Sequence, residues 1–365
     1  MRIGFALEYS LGHATHAENL KNALKTDACV CPTYIDLPFQ NTPGWWSRLP
    51  GVRSNWSLRA SLGAYVGLRR RARSLDAAFF HTQVTALLST GLMRRVPSVV
   101  SLDATPVQID ALGSSYRHVP SRSQRIEALK RRLNTRAFAA ARLLVSWSQW
   151  AKQSLVADYG MPADKIVVIP PGIDTERWKF SRTPPTGTGP LNLLFVGGDF
   201  ARKGGDTLLE AFRQLPENLD THLHIVTRTV CAAEGLRNVH LYRDLAPNSE
   251  ALLRLYAEAD LFVFPTRGDC LPLAVMEALS AGLPVITTSV GALPEAVTHN
   301  EAGLIVPRGD PHALAEAIRT LNTDPRLRAS LGHRAREVAL ERFNAATNYR
   351  RLIEVVHTVA EGAVP

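Results

Sequence analysis

The chain has 365 residues, 45% apolar and 21% charged, the balance of a soluble globular protein long enough for two domains of roughly 150 residues, which excludes a disordered or collagen-like polymer. The formal charge of +9 is unevenly held: 24 Lys and Arg face 12 Asp and Glu over residues 1–180, and 18 face 21 over the remainder. No apolar run approaches the roughly 18 residues of a spanning helix, and the cysteines at 29, 31, 231 and 270 lack the paired spacing of a zinc site and read as buried free thiols.

In chain order, the first expected element is a strand over 3–7, closed by Glu8. An acid after so short an apolar run is no signal-peptide core, so a cytoplasmic protein is expected. Further strands are expected over 77–81, 98–102 and 143–146. Between them lie basic clusters: Arg69-Arg70-Arg71 with Arg73, Arg94-Arg95, and Arg122, Arg125, Lys130, Arg131, Arg132 and Arg136. Such clusters suit an anionic membrane surface or a polyanion, or form a solvated helix face. No zinc-finger or RRM pattern accompanies them, so nucleic acid is not expected. Residues 183–190, Thr-Pro-Pro-Thr-Gly-Thr-Gly-Pro, cannot build an element and read as a linker, which puts the domain boundary between 180 and 181. A second strand series follows over 191–196, 222–227, 239–242, 261–265, 284–287 and 304–306, with helices over 206–215, 249–259, 273–281 and 311–321. This alternation predicts an α/β fold of two Rossmann-like domains, 1–180 and 181–345. Ligands are then expected in the cleft between them, at the carboxyl ends of strands. The tail over 344–359 is helical in pattern, and 346–365 are expected to return to the first domain.

Two constellations carry chemistry. The strand 191–196 ends in Gly197-Gly198, and Asp199-Phe200-Ala201-Arg202-Lys203-Gly204-Gly205 leads into a helix. Glycines there admit a phosphate to the backbone, and the Arg-Lys pair supplies two cations for a diphosphate, although such turns also arise without a ligand. Farther on, Phe264-Pro265-Thr266-Arg267-Gly268-Asp269-Cys270-Leu271-Pro272 leads into a helix from Leu273 that carries Glu277. The free amides at that helix start can hold phosphate. Glu277 lies in an otherwise apolar run, where an unpaired carboxylate is costly, so it is expected to face a ligand.

From these residues, the second half resembles the donor-binding domain of family-4-type (group 1) retaining glycosyltransferases. That family carries two acids with seven residues between them, here Asp269 and Glu277. Its Gly…Arg-Lys-Gly loop is matched by Gly197, Gly198, Arg202, Lys203 and Gly204. Ser146 and residues 165–178 fit its passage into the linker. The resemblance covers about 220 residues from 143 onward and the first 140 only in outline.

The resemblance implies the GT-B fold, two Rossmann-like domains facing each other across a cleft. It implies hexosyl transfer from a nucleotide-diphosphate sugar to an acceptor hydroxyl, with retention, in glycan, glycolipid or polysaccharide synthesis. Arg202 and Lys203 would neutralise the diphosphate, Glu277 hold the ribose and Asp269 bind the transferred sugar. The backbone of Cys270, Leu271, Pro272 and Leu273 would hold phosphate, as would the glycine loop at Gly12. The family's histidine after the 98–102 strand is absent; Asp103 is the nearest substitute and a candidate catalytic residue. His13, His16, His81 and His118 are candidates for acceptor contact or are structural. The family's first acid is usually Glu followed by Gly-Phe, whereas Asp269-Cys270-Leu271 stands here, which leaves the donor sugar open. No Asp-x-Asp pair occurs, so no metal and no cofactor are expected. The donor is a substrate, a UDP-sugar ahead of a GDP-sugar, and the acceptor a glycan or lipid-linked molecule reached by peripheral contact with the inner membrane face. A GT-B-fold sugar-nucleotide epimerase and a non-catalytic sugar-nucleotide-binding module are the alternatives.

Overall fold

The computed structural model of the chain describes residues 1–10, 12–25, 27–39, 52, 55–116, 123–180, 189–231, 233 and 236–362. Residues 183–188 of the expected linker, together with Arg122 and His118, lie outside the described residues. The chain divides into two compact units, one of residues 1–113, 117–172 and 345–365, the other of 114–116 and 173–344.

The first unit holds a parallel sheet of β1 (Arg2–Tyr9), β2 (Cys31–Pro38), β3 (Ala77–His81), β4 (Ser98–Leu102), β5 (Leu143–Ser146) and β6 (Ile166–Val168), in the order β2-β1-β3-β4-β5-β6. Its central strands are buried along their whole length, which is why they read as unbroken apolar runs: helices cover both faces. Alternate side chains feed two cores. Ala78, Phe80, Val100 and Leu144 belong to one; Ala77, Phe79, Val99 and Leu143 belong to the other, with Tyr349, Leu352, Val356 and Val359 of the helix Ala345–Ala360. Those four positions recur at helical spacing, so the end of the chain lays an apolar stripe on the first sheet.

The second unit holds β7 (Leu191–Val196), β8 (Thr221–Val226), β9 (Val239–Tyr242), β10 (Leu261–Phe264), β11 (Val285–Thr288) and β12 (Gly303–Val306), all parallel, in the order β12-β11-β10-β7-β8-β9. That is the doubly wound order of dinucleotide-binding sheets, whereas the first sheet has the flavodoxin-like order. The chain leaves the first unit after Gly172, ahead of residue 180. The amide of Ile173 donates to the carbonyl of Phe343 at 2.7 Å, and Trp178 packs edge-on against Tyr256 with centroids 4.8 Å apart, so residues 173–180 are tied to the second unit. The cysteines are free, but only Cys270 is buried. Cys29 and Cys31 are exposed because they enter β2 at the sheet edge, and Cys231 is half-buried.

Candidate functional site

In the second sheet the strand order reverses between β7 and β10, and open α/β sheets take ligands at the carboxyl ends of strands at such a reversal. After β7, a Cβ on Gly197 would lie 2.7 Å from Cδ of Lys203, whereas one on Gly198 would meet nothing within 4 Å. A side chain at 197 would therefore displace Lys203. At 198 the backbone is exposed and open. The turn closes at Gly204, where φ is +80° and a Cβ would fall 1.9 Å from the carbonyl oxygen of Pro265. This contact presses the turn after β7 against the loop after β10.

Four charged side chains meet there. Arg202 donates through Nη1 to the carbonyl of Gly268 at 2.7 Å and lies 3.4 Å from Oδ2 of Asp269. Lys203 Nζ reaches the same oxygen at 2.7 Å and stands 4.9 Å over the Phe264 ring. Asp199 lies 3.5 Å from Nε of Arg202. Burial pushes the Asp269 carboxyl up. Lys203, Arg202, the hydrogen bond from Lys203 and the Cys270 amide outweigh it and hold the group below the ordinary carboxylate range. The structure thus joins in one ion cluster the cations and the acid that the sequence assigns to different parts of a donor.

The loop that carries Asp269 is braced from behind. Thr287 and Thr288 donate through their hydroxyls to the carbonyls of Phe264 and Thr266, each at 2.8 Å. Gly291, with φ +59°, packs so closely that a Cβ would be 2.2 Å from the Asp269 carbonyl oxygen. Cys270 and Leu271 are buried. The helix Leu273–Ser280 begins at Pro272, which offers no capping side chain, so its first amides point at the loop without a side-chain partner. One turn on, Glu277 is only 6% exposed, and Oε2 lies 3.0 Å from the hydroxyl of Tyr256. Burial pushes Glu277 up to about 7, against the opposing pull of the Tyr256 hydrogen bond and of Lys203. Tyr256, Thr287, Thr288 and Gly291 were not singled out by sequence. Tyr256 falls there only within the expected helix 249–259.

A second cluster lies in the first unit. Gly12 is exposed at the start of the helix His13–Leu24, and a Cβ there would meet nothing within 4 Å. Nδ1 of His13 is 3.2 Å from Nε2 of His81, and its Nε2 is 3.6 Å from Asp103. Trp147 packs on the rings of His13, His16 and His81 at 5.3, 4.8 and 5.8 Å. Burial holds His16 down at about 3 and His81 well below the usual imidazole range, so both are neutral. Glu8, buried at the end of β1, accepts from Ser10, Trp56 and Thr82. Among the described residues no group of His, Cys, Asp and Glu has metal-binding geometry.

Residues 12–177 match the family described as Glycosyltransferase Family 4, and residues 190–324 that described as Glycosyl transferases group 1. The amylovoran biosynthesis glycosyltransferase AmsK of Erwinia amylovora is 29% identical over 240 residues, which is 62% of this chain and 58% of that protein. The chain spans little more than half the length of the curated relatives it matches. Sucrose-phosphate synthase of Thermosynechococcus elongatus superposes with a TM-score of 0.76 at 18% identity over the whole of both chains. Anabaena HepE in complex with UDP and glucose does so with 0.73 at 17% identity, over 98% of this chain and all of that one. The shared fold is GT-B.

Proposed function

Because this chain belongs to the family-4-type, group 1 glycosyltransferases, we propose that it transfers a hexosyl group from a nucleotide-diphosphate sugar to an acceptor hydroxyl in glycan, glycolipid or polysaccharide synthesis. The observation that carries this reading is the cluster of Lys203, Arg202 and Asp269 at the reversal point of the second sheet, with Glu277 in the adjoining helix. A buried Arg202 and a partly buried Lys203 beside glycine backbone match a diphosphate, and Gly198 leaves the room it needs.

In this reading the diphosphate draws Lys203 away from Asp269, whose carboxylate turns to hydroxyls of the transferred sugar. Glu277 accepts from the ribose hydroxyls, and the amides of Leu271 and Leu273 take phosphate oxygens. Arg202 and Lys203 then stabilise the charge that grows on the leaving diphosphate. Retention follows if that leaving group takes the acceptor proton on the face it vacates. The cations stand where other transferases place a metal, and the chain has no Asp-x-Asp pair, which favours transfer without one. A UDP-sugar is the preferred donor, in keeping with the UDP held by the HepE structure. The exposed basic helix Gln124–Ala140 favours an acceptor met at an anionic membrane.

The test is a thermal-shift panel of UDP, GDP and their sugars with excess chelator. A ligand at a hundred times its Kd adds about 2.7 kcal/mol to stability. UDP and a UDP-sugar should raise the midpoint, and the sugar nucleotide should then be consumed with chelator present. A chain that no nucleotide stabilises would end the reading, and consumption that requires added magnesium or manganese would end its metal-free part.

A further inference from the structure

We propose that Asp103 binds the acceptor hydroxyl, held in place by a relay that runs from His81 through His13; this rests on the glycosyltransferase reading above. The order of the first sheet changes direction between β1 and β3, which is where a sheet of this kind receives a ligand. The three residues converge at that point. His13 follows β1, His81 ends β3 and Asp103 follows β4.

The relay has a direction. Nδ1 of His81 is buried with no hydrogen-bond partner. A bare ring nitrogen tolerates that position better than an N–H, whose proton would be stripped of water without an acceptor. The His81 proton therefore sits on Nε2 and is donated to Nδ1 of His13, 3.2 Å away. His13 must then carry its own proton on Nε2, which points at Asp103 at 3.6 Å. The opposite arrangement would turn a lone pair of His13 towards the carboxylate. Exposure rises along the chain of contacts: the His81 residue is fully buried, while the side chains of His13 and Asp103 are 15% and 20% exposed. The carboxylate is thus the end that meets a ligand, and with about four acceptor positions it can take a hydroxyl beside the His13 contact. His13 and His81 are positioning residues. Trp147, packed on both rings, keeps them dry and fixed.

The full chain, labelled with ¹⁵N-histidine, reports the relay directly: His13 and His81 should both show the Nε2-protonated tautomer. A proton on Nδ1 of His13 would overturn the relay. Transfer from UDP-glucose to water and to methyl glucosides reports the role. Asp103→Asn and His13→Phe should each lower turnover roughly 100-fold with UDP affinity unchanged. His13→Asn, which keeps an N–H towards Asp103, should recover part of the loss. Asp103→Asn that turns over like the parent would overturn the assignment and leave the glycosyltransferase reading intact. A parent that neither binds UDP nor consumes UDP-glucose would instead overturn that reading, and this assignment of Asp103 with it.

Discussion

Glu277 has opposing demands on its charge. Burial raises it to about 7, so near neutral pH part of the population holds a proton, yet ribose hydroxyls are bound best by the carboxylate. UDP binding at pH 7 should therefore release protons, seen as a dependence of the calorimetric heat on buffer ionisation enthalpy, and Glu277→Gln should abolish that dependence. Stability follows the same group with a defined sign. The folded state holds the Glu277 proton more tightly than the unfolded one, so stability is fully present below about 4.5 and falls as pH rises through about 7. Midpoints measured from pH 5 to 8 should fall for the parent relative to Glu277→Gln; parallel curves would refute the buried-acid account. Asp269 has the reverse dependence, losing its contribution only as acid protonates it below the ordinary carboxylate range. Removing Lys203 leaves Asp269 with the 3.4 Å Arg202 contact and deprives a diphosphate of a cation. Lys203→Ala should weaken UDP by about 1.5–3 kcal/mol, read by calorimetry. The cations and acids were legible because their spacing lies within single loops and helices. The hydrogen bond between Tyr256 and Glu277 was not, because the partners sit on different helices.

At the level of elements, the glycines of the turn after β7 have separable tasks. Gly204 combines φ +80° with a would-be Cβ 1.9 Å from the Pro265 oxygen, so Gly204→Ala should destabilise the chain by about 3 kcal/mol or more. Gly198 has nothing within 4 Å. Gly198→Ala should hold stability within about 0.5 kcal/mol while weakening UDP, and equal thermal losses in the two variants would refute the division. The strands after which these turns begin were legible because central parallel strands are apolar throughout. β2 was not: Cys31-Pro32-Thr33-Tyr34-Ile35-Asp36-Leu37-Pro38 carries the mixed composition of an edge, with Pro and Asp where a central strand would be apolar. The helix Pro325–Arg342 was missed for another reason. Gly332 breaks its pattern, because there a Cβ would come 2.6 Å from the carbonyl oxygen of Gly282, and close packing was chosen over helix propensity.

Over the whole molecule, the charge split has a surface to act through. On the helix Gln124–Ala140, Arg125, Leu129, Arg132 and Arg136 recur at i, i+4, i+7 and i+11, opposite the buried Asn134, Ala137 and Phe138. Leu129 is 56% exposed and Ile126 48%, so the outward stripe is basic with apolar side chains set into it. Arg94 and Arg95 are exposed at the end of the helix Thr90–Met93, which packs against the same helix. No helix among the described residues is long and apolar enough to cross a membrane, and the stripe is proposed here as a peripheral contact with an anionic surface. Basic residues near an anionic leaflet contribute on the order of 1 kcal/mol each and are screened within a Debye length, whereas Leu129 and Ile126 contribute burial that salt does not weaken. Flotation separates the two. Vesicles rich in phosphatidylglycerol should carry the chain at low salt and lose most of it at high salt, and phosphatidylcholine vesicles should carry little. Replacing Arg125, Arg132 and Arg136 with Gln should abolish recruitment, while replacing Ile126 and Leu129 with Ser should leave a weaker, wholly salt-sensitive remainder. Equal recruitment to neutral and anionic vesicles, or none to either, would show the stripe to be a solvated face. The site proposed for the donor would be untouched by that result, because its cations lie in the second unit and contact Asp269.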